Sequence, residues 1–170
     1  MAAHDVNPHE FNRSPASERE ALTAFLDKQR DILVRKIEGV TDEDARRAPT
    51  ESALSLLGIL KHCAIWEGRW FQAVVAGRMV PGEWPEVKSR NPETFALGPD
   101  DTVLHWLAYY RDQVTESRRI VADRDLDEPC AYARYSDTNL RWVLLHHIEE
   151  VARHAGHADI IRETIDGSTG

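Results

Sequence analysis

The segment SLLGILKHCAIWEGRWFQAVVAG, residues 55–77, decides the fold class of this chain. It is rich in apolar residues and too long for a β-strand, which predicts a helix from Ser55 to about Ala76. Gly58 and Gly68 lie inside this helix and lower its intrinsic propensity. A glycine inside a helix can also let a neighbouring helix approach closely.

Three further segments have helical periodicity. The first begins at Ser17, whose spacing to Glu20 is that of a capping box, and it ends at Gly39. The third of the four helices follows a cap at Asp100 or Asp101, and the fourth runs from Asn139 to about Ile165. The predicted inward positions are Leu22, Phe25, Leu26, Ile32, Leu33 and Ile37 in helix one, and Val103, Leu107, Tyr110, Val114, Ser117 and Val121 in helix three.

These segments predict an all-α protein, an antiparallel four-helix bundle with long connecting loops. We expect a single domain over residues 1–170, with residues 1–16 loosely ordered. The linker after helix one contains one short helical turn, capped by Thr41. Residues 77–99 are proline-rich and form a long loop that contains Trp84. The helices therefore run up-down-up-down, or this loop crosses over the bundle.

The composition narrows the range of partners. A net charge of −8 argues against a nucleic-acid-binding surface, which needs a basic face. No apolar run approaches the length of a membrane span, and the first residues lack the pattern of a signal peptide. The two cysteines, Cys63 and Cys130, form no CxxC pair, which fits a reducing compartment. We therefore expect a cytoplasmic protein that binds neither nucleic acid nor membrane.

Half of the eight histidines lie in HHIEEVARHAGHADIIRE, residues 146–163. Because each helical residue turns about 100°, four side chains fall within a quarter of the circumference: His146, Glu150, His154 and His157. Glu150 and His154 lie closest to the apolar stripe, so they are predicted to point at the core or its edge, as does His147. A carboxylate in that direction needs a partner or a metal ion.

Glu150 and His154 are four residues apart, a spacing that lets two side chains of one helix bind one ion. The two histidines of the HExxH motif have the same spacing, but the motif itself is absent, so a metalloprotease does not follow. His62 is the only histidine of helix two and can supply a third ligand from a facing helix. The result is a predicted site of two histidines and one carboxylate, with open positions of the kind that catalytic metal sites have.

Each of these residues also has a structural alternative. His62 can be a hydrogen-bonded core histidine, and Glu150 can simply pair with Arg153. His146 and His157 then lie solvated at the rim, Cys63 is a small buried hydrophobe, and Trp66 and Trp70 belong to the core. No general base stands out, and the candidates are His146, His157 and Tyr110.

The strings SLLGILKHCAIWEGRWF and HHIEEVARHAGHADIIRE resemble helices two and four of the DinB-like (DinB/YfiT) superfamily, and are most similar to its uncharacterised actinobacterial branch. The resemblance implies a four-helix bundle with a divalent ion, often zinc or nickel, held by His62, Glu150 and His154. Many members have histidine in place of Glu150, whereas the mycothiol-dependent maleylpyruvate isomerase is similar in having glutamate. The segment RHAGH, Arg153–His157, departs from the common HHRGQ ending.

Characterised relatives use low-molecular-weight thiols such as mycothiol or bacillithiol. The resemblance therefore implies a metal-dependent thiol S-transferase or isomerase that acts on a small electrophile, with a mycothiol-type thiol as cosubstrate. The alternatives are a non-catalytic metal-binding or stress-associated interaction protein, and a bundle that has lost its metal. A pocket of several hundred Å³ beside the three ligands would favour the enzyme.

Helix three predicts a homodimer. It carries His105, Trp106, Tyr109 and Tyr110, and Trp106 and Tyr109 fall partly outside the core stripe. Exposed aromatic side chains of this kind are enriched in protein interfaces. The alternative is that the 77–99 loop covers them. Light scattering is expected to give twice the chain mass of 19.4 kDa, and a mass near 19.4 kDa would contradict the prediction.

Overall fold

The computed structural model describes residues 17–78 and 92–169, and it confirms an all-α four-helix bundle. The helices are α1 (Glu18–Ile37), the short α2 (Asp42–Ala45), α3 (Leu56–Gly68), α4 (Val103–Ala122) and α5 (Leu140–Asp166). Two 3₁₀ turns, Pro92–Thr94 and Ala133–Tyr135, precede α4 and α5. The described residues contain no strand, only an isolated bridge between Pro129 and Asn139. The expectation for residues 1–16, and that for Trp84, lie outside the described residues.

Side-chain caps begin the helices, and one differs from the prediction. Ser17 accepts from the Glu20 amide at 3.2 Å, and Ser55 and Asn139 cap α3 and α5 in the same way. The cap of α4 is Thr102 rather than Asp100 or Asp101. Asp101 instead binds the ammonium of Lys61 at 2.9 Å and the indole N–H of Trp106. A hydroxyl serves as a cap as well as a carboxylate does. Because Thr102 caps α4, the carboxylate of Asp101 can pair with Lys61 of α3.

The second predicted helix extends as expected but changes its winding. After Gly68 the backbone continues as a π-helix over Arg69–Val75. The wider π turn changes which side chains share a face, so α-helical spacing fails beyond this point. Short π segments occur frequently at functional sites.

The connection between α3 and α4 crosses over the bundle, which is the second of the two predicted topologies. α1 and α5 run parallel, since the start of one pairs with the start of the other and the ends likewise pair. α3 and α4 are also parallel, and this pair runs opposite to α1 and α5. The contacts that fix these directions are Glu18–Arg141, Lys36–Asp159, Lys61–Asp101 and Gln72–Gln113.

The predicted inward positions form much of the core. All six positions named for helix three are buried, as are Leu26, Leu33 and Ile37 of α1. Phe25 is the exception at 46% exposed. No helix in residues 17–78 and 92–169 is long and apolar enough to cross a membrane. The single domain over residues 1–170 stays a prediction.

The aromatic side chains that predict a homodimer are partly covered from within the chain. Trp106 donates its indole N–H to Asp101 at 2.7 Å, and the Lys61 ammonium lies 5.3 Å from its ring centre. Tyr109 packs edge-on against Trp106. These contacts give both rings an intramolecular role, and the homodimer stays a prediction.

Candidate metal centre

The structure brings the three predicted ligands together. His62 on α3 faces Glu150 and His154 on α5, and one possible ligand atom from each lies within 4.8 Å of the other two. The ring centres of His62 and His154 are 4.7 Å apart, and Nε2 of His154 is 3.5 Å from Oε2 of Glu150. Glu150 and His154 are neighbours on the surface of α5 because they are four residues apart. The antiparallel packing of α3 on α5 brings His62 to them as the third candidate ligand.

The turn before α4 fixes the ring of His62. Thr94 Oγ1 lies 2.7 Å from Nδ1 of His62, and the ring of Phe95 stacks on the imidazole at 3.9 Å. When Nδ1–H donates to this hydroxyl, Nε2 keeps the lone pair that a metal needs. Sequence reasoning missed both residues.

A glycine in α3 allows this turn to come so close. A Cβ at Gly58 would lie 2.9 Å from the carbonyl oxygen of Phe95. The only sequence signal for this contact was a glycine inside an apolar helix, and it indicated a close neighbour without identifying it. The neighbour is the connecting segment rather than a helix.

The electrostatics keep two of the three donors, His62 and Glu150, deprotonated at neutral pH. Burial, reinforced by the positive potential of His154, lowers the pKa of His62 to about 3. The hydrogen bond with His154 and the nearby Arg153 lower the pKa of Glu150 to about 2. Arg153 Nη1 donates to Glu150 Oε1 at 2.7 Å, so the predicted alternative pairing is also present. Metal ligands must be deprotonated, and these two meet that condition without a metal.

The donor set suits a divalent transition metal. Two imidazoles and one carboxylate are a common ligand set for zinc, and imidazole also suits nickel. Nδ1 of His154 is buried and has no hydrogen-bond partner in the part of the chain that the structure describes. The nitrogen that lies 3.5 Å from the Glu150 carboxylate is Nε2, so the fit of a cation rests on the three donors themselves and not on Nδ1.

The other candidate site residues named in the sequence analysis are buried or half-buried. Cys63 is buried, as is Tyr110, and burial raises the pKa of both groups. Tyr110 is therefore a poor candidate for a general base. His146 and His157 are half-buried on α5, and His147 is buried. Trp70 is buried and Trp66 partly so, as expected for side chains at the core.

A buried charge network that the sequence analysis missed also joins α1, α3 and α5. Glu67 is fully buried, and it accepts hydrogen bonds from Arg30 and, at 2.7 Å, from Nε2–H of His147. Burial alone would raise the pKa of Glu67, but Arg30 and His147 outweigh it and lower that pKa to about 2. The network joins the helix that carries His62 to the helix that carries Glu150 and His154.

A cavity of about 260 Å³ lies away from the three candidate ligands. It is bounded by α1, α4 and α5, and Asp27, Arg30 and Arg118 line it. None of His62, Glu150 and His154 borders this cavity. It is therefore not the pocket that was expected beside the metal site.

A bundle with two histidines and a glutamate meeting between its second and last long helices has DinB-like architecture. The chain belongs to the mycothiol-S-transferase family, whose profile matches residues 21–167. No curated protein sequence matches it. Among solved structures, a conserved protein from Enterococcus faecalis has the same fold, with a TM-score of 0.70 at 14% identity. That match covers 89% of this chain and 99% of the other.

We expect the metal-free protein to lose stability as the pH falls below about 6.5. The pKa of His62 is about 3 in the folded chain, below its value of 6.5 when unfolded. Between these values the unfolded chain binds a proton that the folded chain does not, so this stability is complete above pH 6.5 and is lost toward pH 3. One such proton changes the free energy of unfolding by about 1.4 kcal/mol per pH unit.

The measurement is urea unfolding of metal-free protein at several pH values between about 7.5 and 4.5. The matched variant is His62→Gln, which has no titrating ring. The free energy of unfolding of His62→Gln should change less steeply with pH, because unfolding then takes up about one proton fewer. Equal slopes for the parent and the variant would contradict the assignment.

Proposed function

We propose that this chain is a divalent-metal-dependent enzyme that transfers a mycothiol-type thiol to a small electrophile in the cytoplasm. One observation carries the proposal: possible ligand atoms of His62, Glu150 and His154 lie within 4.8 Å of one another. They do so in a chain that belongs to the mycothiol-S-transferase family.

In this proposal His62, Glu150 and His154 hold the ion, with zinc or nickel as the expected metals. A bound divalent ion would supply the positive charge that keeps a thiol ionised at neutral pH. Thr94 and Phe95 hold the ring of His62 in place, and the hydrogen bond with His154, together with Arg153, keeps Glu150 ionised. Three protein ligands leave open positions for the thiol.

The attacking sulfur comes from the cosubstrate rather than from the chain. Cys63 and Cys130 are both buried and free, and burial raises the pKa of each thiol. With an epoxide or activated alkene, the new S–C bond forms as the C–O or π bond breaks. The thiol proton ends on the product, so no further reactant is needed. Of the predicted proton acceptors, His157 lies one turn from His154 on α5, whereas the ring of His146 packs against Trp70 and Trp142.

The test is a conjugation assay on protein purified without a histidine tag. Metal content is measured first, and thiol consumption is then followed with mycothiol and a panel of epoxides, activated alkenes and aryl halides. We expect a metal-dependent rate above that of the same metal in buffer, and loss of this rate in His154→Ala.

Two other results would replace the proposal. Bound metal without turnover on any electrophile would favour the non-catalytic metal-binding or interaction protein. Protein that binds no metal under any loading condition would indicate a bundle that has kept the fold and lost the ion.

A further inference from the structure

Two rows of side chains face each other and lead away from the candidate metal centre. On α3, His62 and Trp66 are four residues apart, and Trp70 follows in the π-helix, where its contact with His146 places it beside the same row. On α5, Trp142, His146, Glu150 and His154 follow at four-residue steps. Because the two helices are antiparallel, His62 meets His154 at one end, and Trp70 meets His146 at the other. The ring centres are 4.7 Å and 4.8 Å apart, respectively.

The far end of these rows is an aromatic platform formed by Trp70, Trp142 and His146. Trp142 stacks nearly parallel on His146 at 5.0 Å and 15°, and Trp70 packs against both. Exposure rises along α5 from 8% at His154 to 44% at Trp142. The rows therefore run from a buried polar end to an aromatic cluster in which Trp142 is exposed, His146 is half-buried and Trp70 is buried.

The middle of the rows offers a hydrogen-bond donor. Nε1 of Trp66 is buried and has no partner within residues 17–78 and 92–169. A buried indole N–H normally finds an acceptor. A ligand that lies along the rows would meet an aromatic face and this donor together.

Basic side chains lie beside both rows. Arg153 of α5 is engaged by both Glu149 and Glu150, and the guanidinium of Arg69 lies 5.1 Å from the centre of the Trp66 ring. A ligand portion with flat apolar faces and several hydroxyl groups can stack on the aromatic rings and accept hydrogen bonds from these donors. Sugar and cyclitol rings have this chemistry, and mycothiol joins its cysteinyl group to a glucosamine and an inositol.

The distance from the aromatic platform to the candidate metal ligands fits the length of mycothiol. Trp142 and Glu150 are eight residues apart, so about 12 Å of helix axis separates the platform from the ligand cluster. In mycothiol an amide and one or two six-membered rings separate the sulfur from the far end of the molecule. A thiol whose sulfur lies at the metal ligands would therefore place a ring on the platform.

We propose that Trp142, stacked on His146 and supported by the buried Trp70, forms the subsite for a sugar or cyclitol ring of the thiol cosubstrate, with Trp66 Nε1 donating to that part of the molecule. This inference rests on the proposed thiol-transfer function. It assigns the aromatic platform to the thiol rather than to the electrophile.

The kinetic test compares Trp142→Ala with the parent, both loaded with metal, on two thiols. We expect the KM for mycothiol to rise about 3- to 10-fold when the stacking face is removed. The KM for N-acetylcysteine, which has no ring, should stay unchanged, as should the KM for the electrophile. Leu145→Ala is the control, since Leu145 is 53% exposed on the same helix but outside the row. Equal rises for both thiols, or a rise for the electrophile alone, would overturn the proposal.

A binding test separates this proposal from the proposed function. Glucosaminyl-inositol, which lacks the thiol, is added to the metal-loaded protein and followed by saturation-transfer NMR. We expect a signal with the parent and with Trp142→Phe, and a weaker one with Trp142→Ala. If the fragment binds in this way while no thiol is transferred, the subsite stands and the transferase function fails. No binding to the parent, or equal binding to the parent and Trp142→Ala, would overturn the subsite.

Discussion

Replacement of Glu67 by glutamine is expected to lower the free energy of unfolding by about 3–5 kcal/mol. The carboxylate is fully buried and receives hydrogen bonds from Arg30 and His147. Glutamine fills nearly the same volume but leaves the buried Arg30 guanidinium with Asp27, 2.8 Å away and partly exposed, as its remaining counter-charge. Urea or thermal unfolding of the parent and of Glu67→Gln would measure the loss.

The control for this variant is Glu116→Gln. Glu116 also pairs with arginines, Arg78 and Arg119, but at the surface, where exposed ion pairs contribute little. Its replacement should leave the unfolding midpoint almost unchanged. The difference between Glu67→Gln and the parent should also shrink as the pH falls from about 4.5 toward 2, because the parent loses its own charge there. Equal stability of Glu67→Gln and the parent at neutral pH would show that the network contributes nothing.

Removal of one candidate ligand is expected to abolish stable metal binding. The parent should bind about one divalent ion per chain, as a single three-ligand site requires. His154→Ala leaves two ligands, and we expect a loss of at least about 100-fold in affinity, more than the loss for a supporting residue. Thr94→Val, which removes the hydrogen bond to His62, should cost about 10- to 100-fold.

The matched control is His105→Ala. His105 lies exposed on α4, where it contacts Trp106 and Tyr109 rather than the three ligands. Metal content after dialysis and a competition titration with a chelator should match the parent. If His154→Ala retains as much metal as His105→Ala, the ligand assignment is wrong.

The helices and the three candidate ligands were predictable because each depends on local spacing. The α-helical period places Glu150 and His154 on one face, and the apolar surroundings of His62 direct it inward. The support of His62 by Thr94 and Phe95 could not be predicted, since 32 residues separate the two hydrogen-bonding partners. No periodic pattern covers a contact between a helix and a connecting segment.

The buried network had a local signal that was not used. Glu67 follows Cys63 by four residues, and both are buried on the same helix. A glutamate on an apolar face predicts a buried partner, but the sequence does not identify Arg30 or His147. The direction of α4 relative to α3 could not be predicted either, because a long connection between two helices permits both a parallel and an antiparallel arrangement. The cap at Thr102 was missed because three neighbouring residues of similar capping strength precede the helix.

The parallel pairing of α1 with α5 has a consequence for the order in which the chain is made. Of the described helices, α1 is synthesised before the others, and its principal neighbour, α5, is synthesised after them. Leu26, Leu33 and Ile37 therefore become fully buried only after most of the chain has been synthesised. His62 likewise waits for Glu150 and His154. The three candidate ligands come together only when α5 packs on the earlier helices, so a metal ion that binds all three would hold α5 to the earlier part of the chain.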